Sequence, residues 1–306
     1  MSQNTASSPK NKIRIGSLSF DVTLIILLLV FCVVILYPFI HVIAVSLSSS
    51  PMITRGAVGL IPKELNVKGY EIVFSKPTIY TSYLWTIWYA LLFTLLNVSL
   101  TSCLGYALSV QEFKLKGFIS VIMLITMFFS GGTIPAYLNI RNLGLMNTTW
   151  ALVLPGCVSA WNVFMYRSFF IGISHEIREA ALIDGAGELR ILVSIVLPLS
   201  KALIASFSLF AIVGMWNSYF SALIYITDRN KFPLQLELRN ILLQNSVNMS
   251  KTVMTEEELA EKERLEALKE MMKYSLIIIS SIPVLVIYPF VQKHFVKGVM
   301  IGSVKG

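Results

Sequence analysis

The sequence predicts an all-α fold, a polytopic membrane protein with six transmembrane helices, and three observations carry that expectation. Of 306 residues, 55% are hydrophobic and only 14% charged, where a soluble domain carries about 25% charged residues. Mean hydropathy is +0.71. The apolar residues also come in uninterrupted runs close to the roughly 20 residues that cross a hydrocarbon core, not in amphipathic periods.

Residues 1–20 are polar, with Lys10, Lys12 and Arg14 just ahead of the first apolar run. That run, 21–46, is longer than the roughly 7–15 residues of a signal-peptide core and has no A-x-A-like cleavage site, so it reads as a retained anchor. Further spans are expected at 81–104, 118–138, 150–172, 201–226 and 275–292, so that 21–306 forms one transmembrane domain. Gly131, Gly132 and Pro135 predict a kink or interruption in the third span.

An even number of spans puts both termini on one side, and the basic N-terminal flank places that side in the cytoplasm. Lys and Arg are otherwise divided about evenly between the two sides, so orientation rests on this flank and on the motif described below. Lys114 and Lys116 then fall in a cytoplasmic turn, whereas residues 47–80 and 227–273 form longer outer loops. The last of these contains TEEELAEKERLEALKEMMKY, whose Glu and Lys spacing predicts a helix leading into the sixth span. It is either a solvated helix or a docking surface for an extracellular partner.

Several function classes are disfavoured. The three cysteines, Cys32, Cys103 and Cys157, all lie inside apolar runs and read as core-type residues without disulfide or metal spacing. A net charge of +8 is scattered over loops, which suits anionic lipid headgroups and not nucleic acid. Ionisable residues such as Asp21, Arg167 and Lys201 sit at span edges, apart from a lone His41 that reads as a hydrogen-bonded structural residue. Ion-coupled carriers commonly need such groups inside the membrane. No G-x-x-x-x-G-K-[ST] occurs, so any nucleotide must be held by another polypeptide. No catalytic constellation and no metal-ligand set is recognisable.

The most informative segment is the loop between spans four and five, SHEIREAALIDGAGELRILVSIVLP, residues 174–198. It reads as two short helices around a turn. Ser174 is placed to cap the first helix, Glu176 suits its positive end, and Asp184, Gly185, Ala186 and Gly187 end it. Ala180 and Ala181 leave one side almost flat for another protein's surface, with Arg178 and Glu179 available for charged hydrogen bonds.

Glu179-Ala180-Ala181, three residues, Gly185, nine residues, Ile195, one residue and Leu197-Pro198 resemble the E-A-A loop of permease subunits of binding-protein-dependent ABC importers at all seven fixed positions. The resemblance implies the type I importer permease fold, with 174–198 as the coupling helix loop seated in a cleft of an ATPase subunit through Arg178, Glu179, Ala180, Ala181, Asp184, Gly185 and Pro198. It implies a second homologous permease in a heterodimer, two ATPase subunits that bind ATP and Mg, an extracytoplasmic solute-binding protein, and a bacterial cytoplasmic membrane. No cofactor is expected on this chain, which is a transport subunit and not an enzyme.

Ile183-Asp184-Gly185-Ala186 and the ending YPFVQKHFVKGVMIGSVKG are similar to the carbohydrate branch, and within it to the maltose-type subunit. FSGGTIPAYLNIRNLGLMNTTWALVLPG and IYITDRNKFPLQLELRNILL are similar to a subgroup for complex oligosaccharides and polysaccharides. The expected cargo is therefore a carbohydrate, with a non-sugar solute on the same architecture as the alternative. By the same resemblance Ser303, Val304, Lys305 and Gly306 are candidates for a tail entering the ATPase dimer.

Sugars present apolar C–H faces and hydroxyls, which aromatic rings and amides together recognise. Trp161 and Asn162 in span four, and Trp216, Asn217 and Tyr219 in span five, are accordingly candidates for the substrate path. The competing reading puts Trp and Tyr in interfacial belts and Asn against a neighbouring helix.

Overall fold

The computed structural model describes residues 15–244, 266 and 268–289, and every regular element among them is helical. Three helices are long and apolar enough to cross a membrane alone: α1 (Ile15–Ser46), α4 (Pro77–Ser109) and α15 (Leu268–Pro289). Between the first two lie the short α2 (Ser50–Thr54) and α3 (Lys68–Phe74).

The expected third, fourth and fifth spans are not single helices. The third is α5 (Lys116–Phe128) and α6 (Thr133–Asn142), which meet at 119°. Gly132, at φ +83, makes that turn, and the kink or interruption expected at the glycine pair is a bend of more than a right angle. The fourth divides into α7 (Thr149–Val153) and α8 (Ala160–Ile171). Pro155 has no N–H to continue α7, and Gly156 at φ +79 turns the chain away.

Downstream, α9 (His175–Ile183), α10 (Glu188–Ile191), a π turn (Leu192–Val196) and α11 (Leu197–Leu199) precede α12 (Lys201–Trp216), with 85° between the segment ending at Leu199 and α12. The fifth expected span then breaks before α13 (Phe220–Tyr225), a 3-10 turn (Arg229–Lys231) and α14 (Leu234–Gln244). Counting each bent pair as one crossing gives up to five candidate spans among the described residues.

Two compact units divide the described chain. The first contains the residues up to Gly69 and those of α15 up to Ile278. Here Ala44, Val45 and Val58 form a small core with Met52, Ile53 and Tyr274 packed on it. His41 donates from Nδ1 to the Gly59 carbonyl at 2.9 Å, in line with a structural role. From Phe20 to Ile40 every residue of α1 is exposed, with Leu27 and Val33 about two-thirds so; an all-round apolar helix of this kind is solvated by lipid or by another subunit.

The second unit, from Tyr70 to 244 with the residues from Ile279, is built around α4. Several α4 side chains bond the backbone of neighbouring elements. Asn97 donates Nδ2 to the Cys157 carbonyl in the α7–α8 interruption at 2.9 Å. The Leu234 N–H at the start of α14 donates to Thr86 Oγ1 at 2.7 Å, and the Tyr89 hydroxyl donates to the Lys231 carbonyl at 2.9 Å. Tyr83 donates to the Ile279 carbonyl in α15 at 2.5 Å.

Three expectations change here. The stretch after residue 227 is not simply an outer loop, because Leu234, Leu236 and Leu238 of α14 are buried. Of the cysteines only Cys157 is core; Cys32 and Cys103 lie exposed on the apolar surfaces of α1 and α4, where lipid solvates them as well as a core would. Of the helix expected across 255–274, residues 245–265 and 267 lie outside the described residues, and its end from Leu268 continues into α15.

Helices α4 and α8 approach closely at Gly105, where an added Cβ would stand 2.7 Å from Tyr166 Cβ and 3.3 Å from the Arg167 nitrogen. Gly105→Ala should cost about 1–3 kcal/mol by overpacking and lower the melting temperature in detergent, whereas Gly117→Ala, with nothing within 4 Å, should leave it unchanged. Thr86→Val should strip the buried Leu234 N–H of its acceptor at about 1–3 kcal/mol. Faster amide exchange at the start of α14, restored to the native rate in Thr86→Ser, checks this.

Candidate functional site: the loop between α8 and α12

Helix α9 ends in a left-handed cap. The Ala186 N–H donates to the Ala181 carbonyl at 2.9 Å and the Gly185 N–H to the Leu182 carbonyl at 3.0 Å, with Gly185 at φ +81. This double bond satisfies carbonyls that the helix end would leave orphaned, and glycine adopts the required φ without a Cβ clash. Ala181 and Ala186 close the turn on its apolar side. At the N-terminus Ser174 holds the cap position, but its side chain makes no capping hydrogen bond.

After the turn, Pro198 explains the irregular helix. Lacking an N–H, it cannot continue the i→i−4 ladder, and the turn before it widens so that the Leu197 N–H donates to the Leu192 carbonyl. Ser200, fully buried, donates Oγ to the Val196 carbonyl at 2.7 Å, just where the chain bends into α12.

The two faces of the loop differ. Ala181, Ile191, Leu192 and Val196 pack into a core with Tyr106, Tyr166 and Phe170. On the other side Ile183 is 86% and Leu189 71% exposed, and Ala180, Asp184 and Pro198 are exposed too. Glu179, 59% exposed, has its Oε1 3.1 Å from His175 Nδ1 one turn away. Of the two alanines expected to form a flat face, Ala180 is exposed while Ala181 packs into the core; Ile183 and Leu189 are exposed with Ala180.

Arg178 is not available as expected either. Its Nη1 donates to Glu112 Oε2 at 3.1 Å and its Nη2 to Glu188 Oε1 at 2.6 Å, while the Tyr106 hydroxyl donates to Glu188 Oε2 at 2.5 Å. The Arg178 hydrogen bond holds the Glu188 carboxyl below its ordinary range, and the Glu188 carboxylate raises Arg178 in turn. Both are charged throughout the neutral range. Tyr106, Glu112 and Glu188 are absent from the sequence reading, and no local spacing signals them, because Tyr106 and Glu112 lie far from the loop along the chain.

The substrate-path candidates separate. Asn162 lines a groove of about 340 Å³ with Phe93, Asn97, Phe210, Met215 and Ser218. Trp161 is exposed and not on that groove. Trp216 is buried, donates Nε1 to the Ser280 carbonyl at 3.0 Å and meets Tyr83 edge to face, so its polar group is already used in packing. Asn217 is exposed at the end of α12, and Tyr219 lies under the Arg239 guanidinium at 5.8 Å. Ser303, Val304, Lys305 and Gly306 lie outside the described residues.

Residues 117–301 match the family model for the binding-protein-dependent transport system inner membrane component. The chain is 37% identical over 288 residues to the polygalacturonan/rhamnogalacturonan transport system permease protein YtcP of Bacillus subtilis (strain 168), covering 94% of this chain and 98% of that one. It is 35% identical over 287 residues to protein LplC of the same organism, covering 94% and 95%. Among solved structures, a chain from a bacterial ABC transporter involved in the import of the acidic polysaccharide alginate superposes with a TM-score of 0.83 at 30% identity, covering 94% of this chain and all of that one. With a loop in which the E-A-A spacing folds as a capped helical turn, and with relatives matched along nearly its whole length, the chain belongs to the binding-protein-dependent transport system inner membrane components, the membrane permease subunits of ABC importers.

Proposed function

We propose that this chain is one half of the permease pair in an importer that carries an oligosaccharide or polysaccharide by alternating access, and that the loop 174–198 is where an ATPase subunit grips it. The observation that carries this is the asymmetry of the loop. One face is fixed in a core with α4 and α8, and the other presents exposed Ile183 and Leu189 beside the Glu179 carboxylate. An exposed apolar patch rimmed by charge is the composition of a docking surface.

The cargo class follows from the relative named for polygalacturonan and rhamnogalacturonan transport and from the alginate importer. In this reading a binding protein delivers the glycan outside, and two ATPase subunits, which hold ATP and Mg, close and move the Glu179 loop. A second, homologous permease completes the passage. Both termini are cytoplasmic, and Ser303 to Gly306 extend toward the ATPase dimer. Asn162 is the substrate-path candidate best placed, on the groove beside Phe93 and Phe210, where ring faces and an amide suit a sugar.

Glu179→Ala should lower uptake by reconstituted complex about tenfold or more, the scale of removing one charge-assisted hydrogen bond from an interface, while the complex still assembles and binds ATP. Gly185→Ala should also lower uptake, because φ +81 strains any side chain there, whereas Gly187→Ala, without positive φ and in open space, should transport normally. Normal uptake in both Glu179→Ala and Gly185→Ala would refute the docking role. The cargo is tested by the melting temperature of the binding protein against a panel of neutral and uronic-acid oligosaccharides. A ligand at a hundred times its Kd stabilises by about 2.7 kcal/mol, and a shift only with a non-sugar solute would refute the carbohydrate reading.

A further inference from the structure

Four charged or polar side chains from separate stretches of chain meet under the loop: Tyr106 near the end of α4, Glu112 in the turn after it, Arg178 in α9 and Glu188 opening α10. Arg178 is the centre. Its side chain is only 14% exposed, although its partners Glu112 and Glu188 are 62% and 49% exposed. An ion pair between two freely exposed side chains would contribute little. Here the cation is mostly withdrawn from water, its planar fork is divided between two carboxylates, and one of those carboxylates also accepts a phenolic hydroxyl. Networks of this kind fix geometry more firmly than their separate bonds would.

The connections run in two directions. Arg178 to Glu188 bridges the turn at Gly185 and holds α9 and α10 at one angle. Tyr106 to Glu188 and Arg178 to Glu112 tie that pair to the end of α4 and to the turn that follows. Helix α4 is meanwhile fixed near its other end, where Tyr89 and Thr86 bond the backbone at Lys231 and Leu234. Tyr89 and Tyr106 are separated by about 25 Å along one continuous helix, at 1.5 Å per residue.

We propose that Tyr106, Glu112, Arg178 and Glu188 form a clasp that makes the loop move as one body with the end of α4, and that Arg178 and Glu188 are positioning residues and not contacts offered to the ATPase. The proposal rests on the docking role of the loop. Opening the clasp leaves the outward face intact but lets it move without carrying α4 along, so ATP is hydrolysed with less cargo moved. A merely structural role would reduce the amount of assembled complex without changing the cargo carried per ATP in what assembles.

The test uses the complete transporter in proteoliposomes, with uptake and ATP hydrolysis measured on the same vesicles. Photo-cross-linking from Ile183→Cys to the ATPase, with Cys32, Cys103 and Cys157 replaced by Ala, reports docking. Arg178→Ala should lower transport per ATP by about two- to thirtyfold, the range for residues that carry coupling between sites. Arg178→Lys, a point charge that cannot hold both carboxylates at once, should fall between Ala and native. Tyr106→Phe, which keeps the ring and removes one bond, should lower the ratio in the same direction by less. If Arg178→Ala fails to assemble, Arg178→Lys and Tyr106→Phe decide. Native transport per ATP in the assembled variants, with the cross-link formed in the otherwise native chain, overturns the clasp. Absence of that cross-link overturns instead the docking role on which it rests.

Discussion

A broken helix inside a bilayer exposes N–H and C=O groups that no water satisfies, and this chain breaks its helices repeatedly. The rest of the second unit depends on how those groups are met. One unbroken helix, α4, supplies several of the partners: Asn97 for the Cys157 carbonyl, Thr86 for the Leu234 N–H and Tyr89 for the Lys231 carbonyl. Unpaired, each such group costs several kcal/mol in hydrocarbon, so non-helical backbone persists at that depth only where protein covers it. Helix α4 can perform this task because it is not amphipathic in the ordinary sense. Its buried positions include Ser, Thr, Asn, Tyr and Gly, residues that hydrogen-bond across a helix contact or allow close approach.

The same helix explains why the loop between α8 and α12 has a fixed place. Gly105 brings α8 against α4, and Arg167 at the end of α8 donates Nε to the Leu108 carbonyl at 3.1 Å. Beside Gly105 on the same helix, Tyr106 reaches Glu188. The loop therefore owes its position in part to a helix contact that glycine permits, with Tyr106 of α4 bonded to Glu188.

How much of this is legible in the sequence follows from the range of each signal. The membrane character, the helical class, the first, second and last spans, and the interruption at Gly131 and Gly132 are all written in local composition. So is the loop, since Gly185 after a short amphipathic stretch and Pro198 beyond it are punctuation that acts within a few residues. The interruption at Pro155 and Gly156 has the same punctuation but lies inside an apolar run, where hydropathy masks it and the segment reads as one span. The inward turn of Arg178 is not legible, because Glu112 and Tyr106 become its neighbours only when α4 and α9 pack. The N–H of Trp216 is likewise claimed by a distant partner, the Ser280 carbonyl 64 residues away.

The loop also shows that stiffness and attachment have different chemical origins. Its internal shape is held by backbone: the two hydrogen bonds of the cap at Gly185, the π turn forced by Pro198 and the Ser200 bond at the bend. Its attachment is held by side chains, through the apolar packing of Ala181, Ile191 and Val196 and through the ion-paired cluster around Arg178. Backbone devices tolerate few substitutions but are indifferent to what the loop touches. Side-chain attachments can be weakened by degrees, because each bond contributes a fraction of the total. A loop built this way keeps its shape through its own backbone, while the strength of its side-chain attachments sets how firmly it is tied to α4.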